Sequence, residues 1–152
     1  MNSNDYKHYL DTFIRTSLAE DLGDGDHTTL ACVAPNEKSK AKLLVKENGI
    51  LAGVEIALQV FHIFDPSIQI ECFIDDGSKI KQGDIAFIAT GPMQSLLQTE
   101  RLVLNIMQRM SGIATQTRLY ADKIKDLKTQ VVDTRKTTPG MQIGRAACRE
   151  RV

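Results

Sequence analysis

The chain has 152 residues, of which 42% are hydrophobic, and its 19 basic and 19 acidic side chains give no formal net charge. This balance argues against nucleic acid and anionic membranes as partners, because the chain has no overall positive field to attract them. No apolar run approaches the roughly 18 residues of a membrane span, and the polar residues 1–11 lack a signal-peptide core, so we expect a cytoplasmic protein.

The N-terminal part of the chain predicts helices separated by short strands. Apolar residues at helical spacing, such as Leu10, Ile14 and Leu18, predict a helix over residues 5–20, and glycines end it in a loop. A second helix is predicted over residues 53–64. Alternating apolar residues predict strands at four places, namely 41–45, 50–52, 68–72 and 85–89.

The C-terminal part predicts two helices and one strand. A long helix is expected over residues 95–110, with a break at Ser111-Gly112 and a second helix over residues 114–127. A strand through Val131-Val132 follows, and the order of elements indicates an α+β fold. The apolar residues expected to face the core are Leu96, Val103, Leu104, Met107, Met110, Tyr120, Ile124 and Leu127.

One polar stripe on the long helix is a candidate binding surface. Arg101, Asn105 and Gln108 are spaced so that they share one helix face. They either form the solvated face of an amphipathic helix or line a pocket. In the second case the planar guanidinium of Arg101 suits a carboxylate or a phosphate.

A second candidate is the segment from Asp133 to Gly140, which follows an apolar pair and contains two adjacent cations. Arg135 and Lys136 can bind an anion where the predicted strand ends, and Thr134 adds a short hydroxyl donor. The alternative is an ordinary charged loop at the surface.

Two weaker patterns complete the candidates. Asp24, Asp26 and His27 resemble metal ligands, but the set is incomplete and a turn or a helix cap explains it better. Three widely spaced cysteines predict free thiols, so no metal site is expected. The turns around Lys79 and Lys81 are similar to those of barrel-sandwich carriers, although a simple β-turn explains them better.

Three motifs together resemble a known family, nicotinate-nucleotide pyrophosphorylase (carboxylating), also called quinolinate phosphoribosyltransferase. The resemblance runs from about residue 10 to Gly140 and is specific in combination. The motifs are Glu20-Asp21-Leu22-Gly23-x-Gly25-Asp26-x-Thr28-Thr29, then Glu100-Arg101-x-x-Leu104-Asn105 with Ser111-Gly112-Ile113-Ala114-Thr115, then Asp133-Thr134-Arg135-Lys136-Thr137-Thr138-Pro139-Gly140.

The resemblance implies a two-part fold. Residues 1–112 would form an N-terminal α/β sandwich domain, and residues 113–141 would begin a C-terminal α/β barrel with only its first strand. The chain lacks counterparts of the family's later motifs, so we expect a truncated chain that is inactive alone and poorly soluble. Residues 142–152 depart from the family pattern, and we interpret them as an artefactual tail.

The resemblance also implies a reaction. Quinolinate and phosphoribosyl pyrophosphate would give nicotinate mononucleotide, carbon dioxide and pyrophosphate, with magnesium accompanying the pyrophosphate and no cofactor expected in this chain alone. Arg101 would reach quinolinate in the neighbouring subunit of a dimer or larger homo-oligomer, while Thr134, Arg135 and Lys136 hold the carboxylates. Arg135 and Lys136 would also stabilise the negative charge that decarboxylation leaves. The alternatives are a molybdenum-transport pyrophosphorylase-like protein and a non-enzymatic barrel-sandwich module.

Overall fold

The computed structural model describes residues 3–134 and 136–138, and these residues form the predicted α+β fold. Three helices and five short strands precede residue 93 among the described residues, and one long helix follows. In chain order the elements are α1 (Ser3–Leu22), α2 (His27–Cys32), β1 (Lys38–Leu44), β2 (Gly49–Ile50), α3 (Val54–Phe64), β3 (Gln69–Cys72), β4 (Lys79–Ile80), β5 (Ile85–Pro92) and α4 (Met93–Ile124).

The strands form two small open sheets. In the larger sheet β5 lies between β1 and β3, and both pairs are antiparallel. Ala89 of β5 is opposite Ala41 on one side and Ile70 on the other. The edge strand β1 carries alternating lysines, which discourage pairing with another chain. The smaller sheet pairs β2 with β4.

The helix α4 is the element around which the domain packs. It contacts α1, α2, α3, β1, β2 and β5, so it touches both sheets and every other helix among the described residues. Its buried side chains join those of α1, α3 and β5 in one hydrophobic core. Although α4 has 32 residues, neither it nor any other helix in the described part of the chain is apolar enough to cross a membrane.

The start of α3 shows how a distant residue fixes a helix. Gly53 precedes the helix with a φ of 103°, which glycine adopts without strain, and it has no side chain to act as a cap. The Asp76 carboxylate does so instead, accepting hydrogen bonds from the backbone nitrogens of Val54 at 2.8 Å and Glu55 at 3.3 Å. The loop before β4 therefore holds α3 in place.

One helix was not predicted. The segment from Glu20 to Thr29 is expected to form a loop, but α1 reaches Leu22 and α2 begins at His27. Asp26 is its N-cap, and its carboxylate accepts a hydrogen bond from the backbone nitrogen of Thr29 at 3.0 Å. Composition could not predict this helix, because glycines and acids are typical of both loops and helix caps.

The predicted break at Ser111-Gly112 is wrong, because α4 continues through it. A glycine within a helix costs only about 1 kcal/mol relative to alanine. Burial of Met110 and Ala114, which are 3% and 1% exposed, offsets that cost. Tertiary packing therefore outweighs the local tendency of Ser111-Gly112 to end a helix.

The inward positions predicted after this point are also partly wrong. Tyr120 and Leu127 are 62% and 63% exposed, and Leu127 lies beyond the end of α4 at Ile124. The strand predicted at Val131-Val132 is absent from the described residues, where residues 129–134 have no regular structure. A strand needs a partner to receive its backbone hydrogen bonds, and neither sheet extends to Val132, which is 81% exposed.

Candidate functional site

Arg101 lies on the exposed face of α4, as its spacing with Asn105 and Gln108 predicted. Its side chain is 75% exposed, and its Nε lies 3.8 Å from Oδ1 of Asp21. Asp21 belongs to the last turn of α1, and its side chain is only 29% exposed. The ion pair therefore joins a solvent-facing cation to a more enclosed carboxylate.

Arg101 and Asp21 line an open cleft of about 510 Å³ between the α1–α2 loop and the first half of α4. Its charged groups have mixed sign, since Asp26 and Glu100 also line it. The other lining residues are Leu22, Gly25, His27, Thr28, Thr29, Leu97 and Gln98. The guanidinium of Arg101 is the strongest anion-binding group in this lining.

The wall of the cleft is fixed by Asp26. Besides the bond to the backbone of Thr29, its carboxylate accepts a hydrogen bond from the Thr29 hydroxyl. That hydroxyl, followed by the backbone nitrogen, lowers the pKa of Asp26 below its ordinary value. His27 Nε2 lies 3.3 Å from Oδ1 of Asp24.

These bonds bear on the metal hypothesis for the loop. Asp26 uses both carboxylate oxygens as a cap, which is the turn-or-cap explanation of this pattern. Within residues 3–134 and 136–138, no group of three or more histidine, cysteine, aspartate and glutamate side chains could hold a metal ion.

The second predicted group lies beyond the end of α4. Thr134 and Lys136 are exposed, and the Thr134 hydroxyl accepts a hydrogen bond from the backbone nitrogen of Lys136 at 3.2 Å. Arg135, the other predicted catalytic cation, lies outside the described residues. Arg109, which sequence reasoning missed, donates from Nη2 to the Thr138 hydroxyl at 2.9 Å and ties this segment back to α4.

The two predicted groups lie at different positions along the axis of α4. Arg101 lies beside α1, whereas Thr138 lies beside Arg109. Eight helical residues separate the two arginines, which corresponds to about 12 Å along the helix axis. The sequence does not indicate that Arg101 faces the cleft while Arg109 holds the segment that follows α4.

The motif Ser111-Gly112-Ile113-Ala114-Thr115 has a structural role. The Ser111 hydroxyl accepts from the backbone nitrogen of Ala52 at 3.0 Å and lies 3.2 Å from the Ala52 carbonyl oxygen. The Thr115 hydroxyl accepts from the backbone nitrogen of Ile50 at 2.8 Å. One turn apart on α4, these hydroxyls satisfy backbone groups of β2 and of the segment that joins β2 to α3.

The hydrogen bond from Ile50 to Thr115 is possible because the backbone at Gly49 lies close to α4. A Cβ at Gly49 would lie 2.6 Å from the Thr115 hydroxyl oxygen, so any other residue there would force the Thr115 side chain to shift. The i, i+4 spacing of two hydroxyls on either side of the buried Ala114 is the signal that could have revealed this seam.

Two other features fit a ligand less well. A cleft of about 340 Å³ between β1 and α4 has mainly apolar walls formed by residues such as Phe61, Phe87 and Leu96, and Arg101 is not among its lining residues. Lys79 and Lys81 do not lie at a hairpin tip, because β4 pairs with β2 while β5 pairs with β1 and β3. The carrier alternative, which needs a lysine at such a tip, loses its geometric basis.

Comparison with known proteins identifies the domain. Residues 26–111 match the family described as quinolinate phosphoribosyl transferase, N-terminal domain, and residues 113–148 match the corresponding C-terminal domain. The second match reaches into residues 142–152, which lie outside the described part of the chain. Our interpretation of those residues as a tail stays a prediction.

Similar proteins of known name support the same family. A probable nicotinate-nucleotide pyrophosphorylase (carboxylating) from Synechocystis is 37% identical over 134 residues, covering 88% of this chain and 45% of the relative. A quinolinate phosphoribosyltransferase (decarboxylating) from Nicotiana tabacum is 42% identical over 131 residues, covering 86% of this chain and 37% of the relative. The chain thus spans less than half the length of these relatives.

Solved structures show the same architecture. NadC from Streptococcus pyogenes superposes with a TM-score of 0.86 at 32% identity, covering 91% of this chain and 51% of that one. The nicotinate-nucleotide pyrophosphorylase from Francisella tularensis gives 0.86 at 34% identity, covering 98% and 52%. Because the first domain match alone takes in more than half of its residues, the chain belongs to the quinolinate phosphoribosyl transferase family.

Proposed function

We propose that this chain supplies the N-terminal half of an enzyme that joins quinolinate to phosphoribosyl pyrophosphate. The products are nicotinate mononucleotide, carbon dioxide and pyrophosphate. Family membership and the names of the relatives support this reaction. Residues 1–112 act in it as the N-terminal domain, and residues 113–141 begin the C-terminal domain.

The observation that carries the proposal is the exposed guanidinium of Arg101 at the cleft beside α1. Quinolinate has two adjacent carboxylates, and a planar guanidinium binds a carboxylate through two parallel hydrogen bonds. A solvent-facing arginine on a helix rooted in the core has the position needed to meet a substrate from outside the domain.

On the other side of the substrate we place Thr134, Arg135 and Lys136. Lys136 is exposed among the described residues, so its ammonium can reach a ligand. Fixed cations beside the pyridine ring stabilise the negative charge that develops there when carbon dioxide leaves. Arg135 and Lys136 are therefore the proposed catalytic residues.

We further propose that the enzyme is a dimer or larger homo-oligomer in which Arg101 serves the neighbouring subunit's site. The separation of Arg101 from the segment held by Arg109 supports this arrangement, because a substrate shared by both groups of one chain would have to bridge about 12 Å along α4. Magnesium would arrive with phosphoribosyl pyrophosphate. The cytoplasm is the proposed location.

The test replaces Arg101 in a complete enzyme. A suitable protein is a chimera in which residues 1–138 of this chain replace the matching half of the Francisella tularensis enzyme. Loss of an arginine that pairs with a desolvated carboxylate costs about 2–5 kcal/mol. We therefore expect Arg101→Ala to raise the KM for quinolinate by about 30-fold or more, measured by steady-state kinetics.

The matched control is Arg15→Ala, which removes another exposed arginine that pairs with an aspartate, Asp11, on α1. Its KM should stay within twofold of the parent, and both variants should keep the parent's circular dichroism spectrum. An unchanged KM for quinolinate in Arg101→Ala, or a chimera that folds but does not turn over quinolinate, would contradict the proposed function.

A further inference from the structure

We propose that Asp21 is a positioning residue for Arg101. In this view Asp21 holds the Nε side of the guanidinium, so that the edge carrying Nη1 and Nη2 is presented to a carboxylate of quinolinate. The inference rests on the proposed function, because it assigns Asp21 a task in the same substrate site.

This role follows from the different exposure of the two partners. The Arg101 side chain is 75% exposed, and a long exposed arginine samples many rotamers. Asp21 is 29% exposed and belongs to α1, which is anchored in the core by Leu10, Ile14 and Leu18. A carboxylate on a fixed helix can thus restrict a side chain that is otherwise free to move.

Which atom of Arg101 contacts Asp21 determines which edge of the guanidinium remains available to a substrate. The 3.8 Å contact joins Asp21 Oδ1 to Nε of Arg101. A guanidinium is planar with five donors, and the Nη1–Nη2 edge points away from a partner on the Nε side. Asp21 therefore occupies one side of the fork and leaves the end-on side for a second carboxylate.

Simple electrostatics predicts the opposite effect of removing Asp21. Loss of a negative charge beside Arg101 makes the cleft more positive and should strengthen the binding of a dianionic substrate. Loss of orientation should weaken it, because the substrate must then immobilise the arginine itself. The sign of the change in affinity therefore separates a positioning residue from a competing charge.

The test uses the same chimeric enzyme with Asp21→Asn. We expect the KM for quinolinate to rise about five- to tenfold, which corresponds to the ordering of one long side chain. The KM for phosphoribosyl pyrophosphate and kcat should stay within twofold. The melting temperature should not change, because exposed ion pairs contribute little to stability.

Three companion variants make the result specific. Asp21→Glu keeps the carboxylate and should return the quinolinate KM to within about twofold of the parent. Asp11→Asn removes the carboxylate of another aspartate–Nε pair on α1, 2.9 Å from Arg15, and should leave all kinetic constants unchanged. In the Arg101→Ala background, Asp21→Asn should have no further effect, because Asp21 acts through Arg101.

A quinolinate KM that is unchanged or lower in Asp21→Asn overturns the inference, as does an equal rise in Asp11→Asn or an additive effect on top of Arg101→Ala. These outcomes leave the proposed function intact if Arg101→Ala alone still impairs quinolinate binding. If Arg101→Ala has no effect, the proposed site fails and this inference fails with it.

Discussion

The two halves of α4 form one helix but have very different surroundings. Up to Met110 the helix buries an apolar stripe against α1, α3 and β5, including Leu102, which is 8% exposed. After Met110 only Ala114 and Thr117 are buried, while Leu119 is 52% exposed. The second half falls within the match to the C-terminal domain.

This difference shows that an apolar stripe identifies a buried face only where another element is present to cover it. In the first half the stripe was predicted well, because Leu96, Val103, Met107 and Met110 are all buried. In the second half the same reasoning chose Tyr120, which faces solvent among the described residues. The rule of helical periodicity is the same, and only the packing partner differs.

The largest expected effect compares the same substitution in the two halves. Leu102→Ala leaves a cavity in the core and should lower the free energy of unfolding by about 2–5 kcal/mol. Leu119→Ala removes an exposed side chain and should change it by about 0.5 kcal/mol or less. Urea denaturation of both variants measures the two values, and equal losses would show that the halves are packed alike.

A smaller effect of opposite sign is expected at the junction of the halves. A Cβ at Gly112 would meet nothing within 4 Å, so alanine fits there without strain. Gly112→Ala should stabilise the chain by about 0.5–1 kcal/mol, because alanine loses less conformational freedom in a helix. The thermal midpoint should rise, and a fall would show that something packs closely over Gly112.

The smallest effect concerns the first turn of α4 and depends on pH. The Ser95 hydroxyl donates to Asp65 at 2.6 Å, and this bond, followed by that from Ser67, lowers the pKa of Asp65. A lowered pKa means that Asp65 adds stability above its ordinary value of about 3.9 and loses that contribution as the pH falls through the lower folded value.

This linkage gives a clear comparison of variants. Asp65→Asn should be slightly less stable than the parent at pH 7, and the difference should shrink as the medium is acidified below about pH 3.9. Thermal melts across this range provide the measurement, with Asp11→Asn as a control on an exposed aspartate whose partner is on its own helix. A difference that grows in acid would contradict the assigned direction of the pKa.

Much of the fold and part of the site followed from sequence patterns. The helices over residues 5–20 and 53–64 and all four predicted strands appear in the structure, with shifted ends. Arg101, Asn105 and Gln108 share one face of α4, as their spacing predicts, and all three are exposed. The family was also identified correctly, because its motifs combine residues that are individually unremarkable but rare in that order.

What the sequence determined by itself is therefore local: periodicity sets which residues of a helix or strand share a face, and motif order sets the family. Tertiary structure alone decided that α4 runs unbroken through Gly112, that Asp76 caps a helix 22 residues away, and that Asp21 faces Arg101. Each of these depends on groups distant in the chain coming into contact, and contact free energies of this kind override the modest intrinsic preferences of single residues.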